Sequence, residues 1–416
     1  MNYRQLTFAV SLLLALTSTI SAQDLSTAPP EAVGLSPQGL ERATEQLTQH
    51  VSNGDVAGVV AAVVRRGKVA YFKSFGHIDL DAKKPMPTDA LFRLYSMTRP
   101  ITSLAAMILW EEGAFKLDDP ISTYLPEFED QRVFHNAANP DLTNTRTRRG
   151  HITVEHLLTH TSGLGGRHSA MDRAEQVRLR SISLEQMVTN AARMPLYEDP
   201  GTRWRYGIST TILGRLIEVW SGVSLDAFLN ERVFKPLGMK DTVFWVDPSR
   251  RDRFGPAYRP NSEGTLRPHA IEVVPFTERP TLTEGGVGLV STVPDYLRFT
   301  QMFLNGGTLN GNQVLKPETV SLMTNNRLSD DILPIGFSDP QPGRGWGLGF
   351  CVVIDGEQFP FPVSEGTFWW DGSSGTRFFI DQEEDMITII MAAASPAHGN
   401  GFREAFTDAV YDAILN

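Results

Sequence analysis

The chain has 416 residues, a formal net charge of -10, nine histidines and one cysteine. An apolar fraction of 41% with 21% charged residues excludes a disordered chain, a collagen and a coiled coil, and the length fits two or three structural units. No Lys/Arg cluster exceeds a few residues, which argues against nucleic acid as a partner, and the single Cys351 excludes an internal disulfide.

In chain order, one positive charge at Arg4 precedes an apolar run from Leu6 to Leu16. Small and polar residues then lead to Ala22, after which the sequence turns acidic and Pro-rich. That three-part pattern predicts a secretory signal over residues 1–22 and a periplasmic or secreted product. The run is too short to span a bilayer, and no membrane span is expected. Ser36 followed by Leu40, Ala43, Leu47 and Val51 predicts a Ser-capped amphipathic helix. Val56 to Val64, a turn at 65–68 and Val69 to Phe72 predict a hairpin. Met97 to Glu112 places Ile101, Leu104, Ala105, Ile108 and Leu109 on one face and stops at Gly113, so Ser96 occupies a helix N-terminus. Pro100 falls in the first turn, where its missing N–H is harmless.

Further helices are predicted at 153–159, 183–193, 208–221, 225–231, 293–305 and 316–323, separated by long polar connections at 131–151 and 247–284. Strands are predicted at 347–354, 368–370, 377–380 and 386–393, and a last helix at 401–415. Strands at both ends and helices between them predict an α/β (α+β) fold. One antiparallel sheet flanked by helices would come from residues 33–95 plus 330–416, with a mostly helical inserted domain at 96–329.

Three segments carry chemistry. In Tyr95-Ser96-Met97-Thr98-Arg99-Pro100, the serine meets free backbone N–H groups and the positive end of the helix dipole, and residue 99 lies one turn along on the same face. Tyr206-Gly207-Ile208-Ser209 follows a Pro-Gly turn. In Trp370-Asp371-Gly372-Ser373, a glycine in a strand lets a carbonyl approach the backbone closely. His156 and His160 are spaced i,i+4 without an acidic third ligand, and Glu284-Gly285-Gly286-Val287-Gly288 follows no strand of a βαβ unit. Neither a metal nor any other cofactor is expected, and the loop at 284–288 reads as a wall of a cleft.

The Ser96 segment resembles the opening of the active-site helix in the serine β-lactamase and penicillin-binding-protein superfamily, most of all in class C β-lactamases and the β-lactamase-like family VIII esterases. Leu117-Asp118-Asp119-Pro120, Leu157-Leu158-Thr159-His160-Thr161-Ser162-Gly163-Leu164, Pro200-Gly201-Thr202-Arg203 and Gly285-Gly286-Val287-Gly288-Leu289 extend the resemblance over roughly 33–412. It implies a serine hydrolase with a β-lactamase/transpeptidase-like fold. Ser96 would be the nucleophile and Tyr206 the general base. The N–H groups of Ser96 and Ser373 would form an oxyanion hole beside Trp370 and Gly372. Trp370 stands where β-lactamases carry Lys, which removes a cation for an antibiotic's carboxylate and points to neutral, apolar acyl groups.

Position 99 departs from the family, which has Lys there. A guanidinium cannot give up its proton near neutral pH, so Arg99 cannot activate Ser96 as a base. As a charge about 4 Å from Tyr206 at an effective dielectric near 20, it contributes about 4 kcal/mol, or about three pKa units. That would draw a phenol from about 10 toward 7, less what burial takes back. The expected activity is carboxylic ester hydrolysis through a Ser96 acyl-enzyme, with Arg99 as electrostatic support. The alternatives are a β-lactamase-like amidase or D-aminopeptidase, and a binding protein impaired by Arg99. The expected partner is a small-molecule ester or amide, and composition leaves the oligomeric state open.

Overall fold

The computed structural model describes residues 26–166, 170–179, 181–270, 275–395 and 401–415. The expected signal peptide at 1–22 lies outside the described residues.

The Ser36 hydroxyl accepts the Gly39 N–H at 3.2 Å and starts helix α1, Pro37–Ser52. Strands β1 (Gly58–Arg65) and β2 (Lys68–Asp79) form the predicted hairpin, and a short β3 (Lys84–Pro85) follows. Near the other end lie β4 (Arg344–Trp346), β5 (Cys351–Val353), β6 (Phe368–Gly372), β7 (Thr376–Asp381) and β8 (Met386–Ala392). They make one eight-stranded sheet in the order β4-β5-β6-β7-β8-β1-β2-β3. Each neighbouring pair is antiparallel. The join between the chain's two ends is β1 against β8, running from Val59 opposite Ala392 to Arg65 opposite Met386. Every residue of β1 is buried, which is why Val59 to Val64 reads as unbroken apolar sequence instead of alternating.

Helices cover both faces of this sheet. On one face α1 packs on α5, Phe402–Tyr411, and Tyr71 of β2 meets Phe406 of α5 with ring centroids 6.1 Å apart. On the other lies α4, Val293–Leu304, where Tyr296 meets Phe378 of β7 at 5.2 Å. The regular structure between the sheet strands is chiefly helical, joined by long irregular connections. At its centre α2, Thr98–Glu111, packs along α3, Ser209–Ser221. Thr98 to Leu109 are all buried, the polar Arg99 and Thr102 being hydrogen-bonded to Thr210 and the Gly285 carbonyl respectively.

The structure departs from the sequence reading at several points. The strand predicted at 347–354 is a hairpin, β4 and β5, because Gly347 and Gly349 turn the chain back and Gly349 sits at φ +106° against Ser103 of α2. The connections at 131–151 and 247–284 each hold a two-stranded ribbon, Arg132–Phe134 with Thr145–Thr147 and Ala257–Pro260 with Leu266–His269. Those strands are too short and polar for alternation to show. A helix at Ala170–Ala174 was not predicted.

Candidate active site

Ser96 stands in a single 3-10 turn, Tyr95–Met97, that runs directly into α2. The turn is gripped from several sides. Leu94 N–H donates to the Leu289 carbonyl at 2.9 Å, Leu289 N–H donates to the Thr98 hydroxyl at 3.2 Å, and the Tyr296 hydroxyl donates to the Met97 carbonyl at 2.9 Å. The grip holds Tyr95 at φ +44°, a left-handed conformation that a bulky residue adopts at a cost of about 1–3 kcal/mol. Tyr95 itself is buried edge-on to Phe276. The strain lies immediately before Ser96, which is only half-buried.

The end of β6 closes on this turn. A Cβ at Gly372 would overlap the Leu94 carbonyl oxygen, so only glycine lets the strand pass so near the serine. β5 reaches along β6 only to Trp369, and Trp370 to Gly372 pair with β7 alone. The backbone from Trp370 onward therefore faces a cleft of about 650 Å³. Ser96, Arg99, Tyr206, Trp370 and Ser373 all line that cleft, while Gly372 is buried behind it.

Tyr206 sits at the centre of the group. Its phenol accepts the Trp370 indole N–H at 2.7 Å and lies on the same cleft wall as Ser96, whose hydroxyl helps to lower its pKa. The Arg99 guanidinium lies 4.2 Å from the centre of its ring, and Arg99 also donates to the Thr210 hydroxyl of α3 at 3.1 Å. Arg99 is 4% exposed, so its charge acts in a poorly screened setting. The net effect on Tyr206 is nevertheless upward. Burial raises the phenol, and Arg99, Ser96 and Trp370 each pull it down without cancelling that effect. The expected drop toward 7 is thus corrected: desolvation wins, and Tyr206 rests as a neutral phenol.

Aromatic rings wall this end of the cleft. Trp346 meets Trp370 edge to face at 4.6 Å, Trp204 stacks beside Tyr206 at 5.7 Å, and Phe337 stands over Tyr206 at 5.2 Å. Phe337 is 62% exposed, a large apolar side chain at the mouth. Glu284 is buried and paired with Arg178 at 2.6 Å, and Val287 from the same loop lines the cleft.

The remaining sequence candidates are sorted by their surroundings. Ser209 is fully buried and shares a hydrogen bond with Ser162 at 2.9 Å, away from the cleft wall. Asp371 faces Arg403 at 3.2 Å and Arg377 at 3.6 Å. His156 closes a capping box with Thr153. His160 packs against Tyr206 with ring centroids 4.8 Å apart. Burial and then the Arg99 charge hold it well below the usual histidine range, hence neutral. Its Nδ1 is buried with no hydrogen-bond partner among the described residues, and its ring also packs against Trp204 and Trp346. Cys351 is buried, its thiol pushed up to about 12 by that burial.

Sequence reasoning missed a group at the far end of the cleft, Arg344, Arg377, Arg403 and Glu404. They come from β4, β7 and α5, elements far apart in the chain. The one local signal is that Arg377 sits opposite Asp371 in the β6–β7 register, a pairing that cannot be read before the sheet is known.

Known proteins bear on this geometry. The Beta-lactamase family model matches residues 40–412. Protein Rv1367c of Mycobacterium tuberculosis is 37% identical over 351 residues, covering 82% of this chain and 87% of its own. Esterase EstB of Burkholderia gladioli is 29% identical over 380 residues, covering 86% and 91%. Among solved structures, EstCE1, a hydrolase with promiscuous acyltransferase activity, superimposes with a TM-score of 0.79 at 26% identity, covering 90% of this chain and 99% of its own. With that match and the fold and site described, this chain belongs to the Beta-lactamase family, as an enzyme of its serine-hydrolase type.

Proposed function

We propose that this enzyme hydrolyses small carboxylic esters through an acyl-enzyme on Ser96. The observation that carries the reading is the gathering of Ser96, Tyr206 and Trp370 on one cleft wall, with the Tyr206 phenol accepting from Trp370 at 2.7 Å and the Arg99 guanidinium 4.2 Å from its ring centre. Similarity to Esterase EstB and EstCE1 supports the ester as substrate.

Ser96 Oγ attacks the ester carbonyl and forms the new C–O bond. Its proton passes to the Tyr206 oxygen while the Tyr206 proton passes to the departing alkoxide, so the alcohol leaves neutral. Water then reverses the relay: its proton goes to Tyr206, the phenolic proton returns to Ser96, and the acid is released. A relay of this kind needs no standing phenolate and fits a neutral Tyr206. Arg99, which cannot titrate, stabilises the tyrosinate character that develops in the transition state. The N–H groups of Ser96 and Ser373, both lining the cleft, would receive the oxyanion, a contribution of roughly 3 kcal/mol per donor. The leader-like residues 1–22 support a periplasmic or secreted site of action.

A fluorophosphonate probe and p-nitrophenyl butyrate test the reading. Wild type is expected to gain probe mass on the Ser96 peptide and to release p-nitrophenol, and S96A to do neither. Equal inactivity of wild type and S96A toward both reagents overturns it.

A further inference from the structure

The far end of the cleft carries more positive charge than its own carboxylates neutralise. Arg344, Arg377 and Arg403 line it together with Asp371 and Glu404. Asp371 is shared between Arg403 at 3.2 Å and Arg377 at 3.6 Å, and Glu404 is taken by Arg377 at 3.0 Å. That leaves Arg344. It donates to the neutral Gln341 side chain and meets no carboxylate among the described residues. Its Nε is buried without a hydrogen-bond partner among the described residues, as are the Nε atoms of Arg377 and Arg403. A chain of net charge -10 does not collect three guanidiniums in one cleft through composition alone.

Arg344 is also held in place. Its guanidinium lies 5.3 Å from the Phe359 ring centre and 5.4 Å from that of Trp369, so cation–π contact orients a charge that no anion pairs. A partly buried cation without a counter-ion is unfavourable, and a ligand anion would offset that cost. The planar fork of a guanidinium matches a carboxylate through two parallel hydrogen bonds. One cleft joins this group to Ser96, so a single small ligand can reach both.

We propose that the far end of the cleft is an anion subsite centred on Arg344, and that the preferred substrates are esters bearing a carboxylate remote from the scissile carbonyl. The inference rests on the ester-hydrolase reading above and refines it, since the missing Lys at Trp370 had pointed to neutral acyl groups only.

The test compares two matched pairs on the full-length protein. Mono-p-nitrophenyl glutarate against its methyl ester places the carboxylate on the acyl side; 3-carboxyphenyl butyrate against its methyl ester places it on the alcohol side. In at least one pair the acid is expected to exceed its methyl ester in kcat/KM by about tenfold, a preference that shrinks at high salt. R344Q is expected to bring that ratio close to one and R344K to retain part of it. A wild-type ratio at or below one in both pairs overturns the proposal, and so does a ratio that R344Q leaves unchanged. If R344Q does not fold, the wild-type ratios and their salt dependence decide. Failure of the ester reading is distinct: it shows as absence of Ser96-dependent turnover of the neutral methyl esters.

Discussion

The indole N–H of Trp370 points at the phenolic oxygen of Tyr206 from 2.7 Å, on the cleft wall that also carries Ser96. A tryptophan standing where the resemblance to β-lactamases expects lysine thus puts a donor on Tyr206, the proposed proton carrier, while adding no charge. Trp370→Phe should retain the packing against Trp346 and remove the donor. The lost hydrogen bond is worth about 0.5–1.5 kcal/mol, so kcat for p-nitrophenyl butyrate should fall roughly three- to tenfold. Because the donor pulls the phenol down, its removal should also move the basic limb of the pH–rate profile upward. An unchanged limb would dissociate Trp370 from proton transfer.

Arg99 and burial act on Tyr206 in opposite directions. A positive charge favours the tyrosinate, so deleting it leaves desolvation less opposed and raises the phenol further. Arg99→Ala should therefore shift the basic limb upward by about one to three pH units and depress the rate at neutral pH. Arg99→Lys keeps the charge and should leave the limb near its wild-type position, with activity kept or raised. Rate profiles of the three proteins on one ester decide it, and a limb that ignores the charge at position 99 removes Arg99 from the mechanism.

Gly372 lets β6 pass against the Leu94 carbonyl two residues before Ser96. Gly372→Ala forces the strand and the turn apart. Overpacking of this sort costs roughly 1–3 kcal/mol of stability, which a protein of this size survives. A displacement of about 1 Å between the nucleophile and its donors costs on the order of a hundredfold in rate. Near-wild-type far-UV circular dichroism with kcat/KM down about a hundredfold is the expected result, read from melting curves and ester kinetics together.

Acid stability should depend on Asp199. Its carboxylate accepts from Arg146 at 2.8 and 2.9 Å and from the Arg149 backbone and side chain at 2.9 and 3.0 Å, and these partners hold it below the usual carboxylate range. A depressed folded-state pKa contributes stability fully above about pH 4, which fades as pH falls toward the folded value. Asp199→Asn should cost roughly 1.5–3 kcal/mol at pH 7, a few degrees in Tm, and the difference from wild type should narrow below about pH 4. A gap that stays constant with pH would assign the loss to shape instead of charge.

Much of the fold was legible in advance, and the reason differs by element. An unbroken apolar run betrays a strand buried on both sides, and apolar residues at helical spacing ending at a glycine betray a helix, which is why β1 and α2 were predicted near their observed limits. Ser36 marked the start of α1 because capping is local chemistry. The ribbons within 131–151 and 247–284 were not legible, since their strands are short and largely exposed and their pairing depends on loop geometry.

At the site the division is sharper. The order of residues along the chain determined the nucleophile candidate, its helix N-terminus, the untitratable cation at position 99 and the Tyr and Trp-x-Gly segments, because each is a local pattern. Only the tertiary structure decided how the opposing influences on Tyr206 resolve, for desolvation depends on which rings close around the phenol. It alone gathered Arg344, Arg377 and Arg403 into the cleft, because three strands and helices distant in sequence must first meet before their charges can be summed.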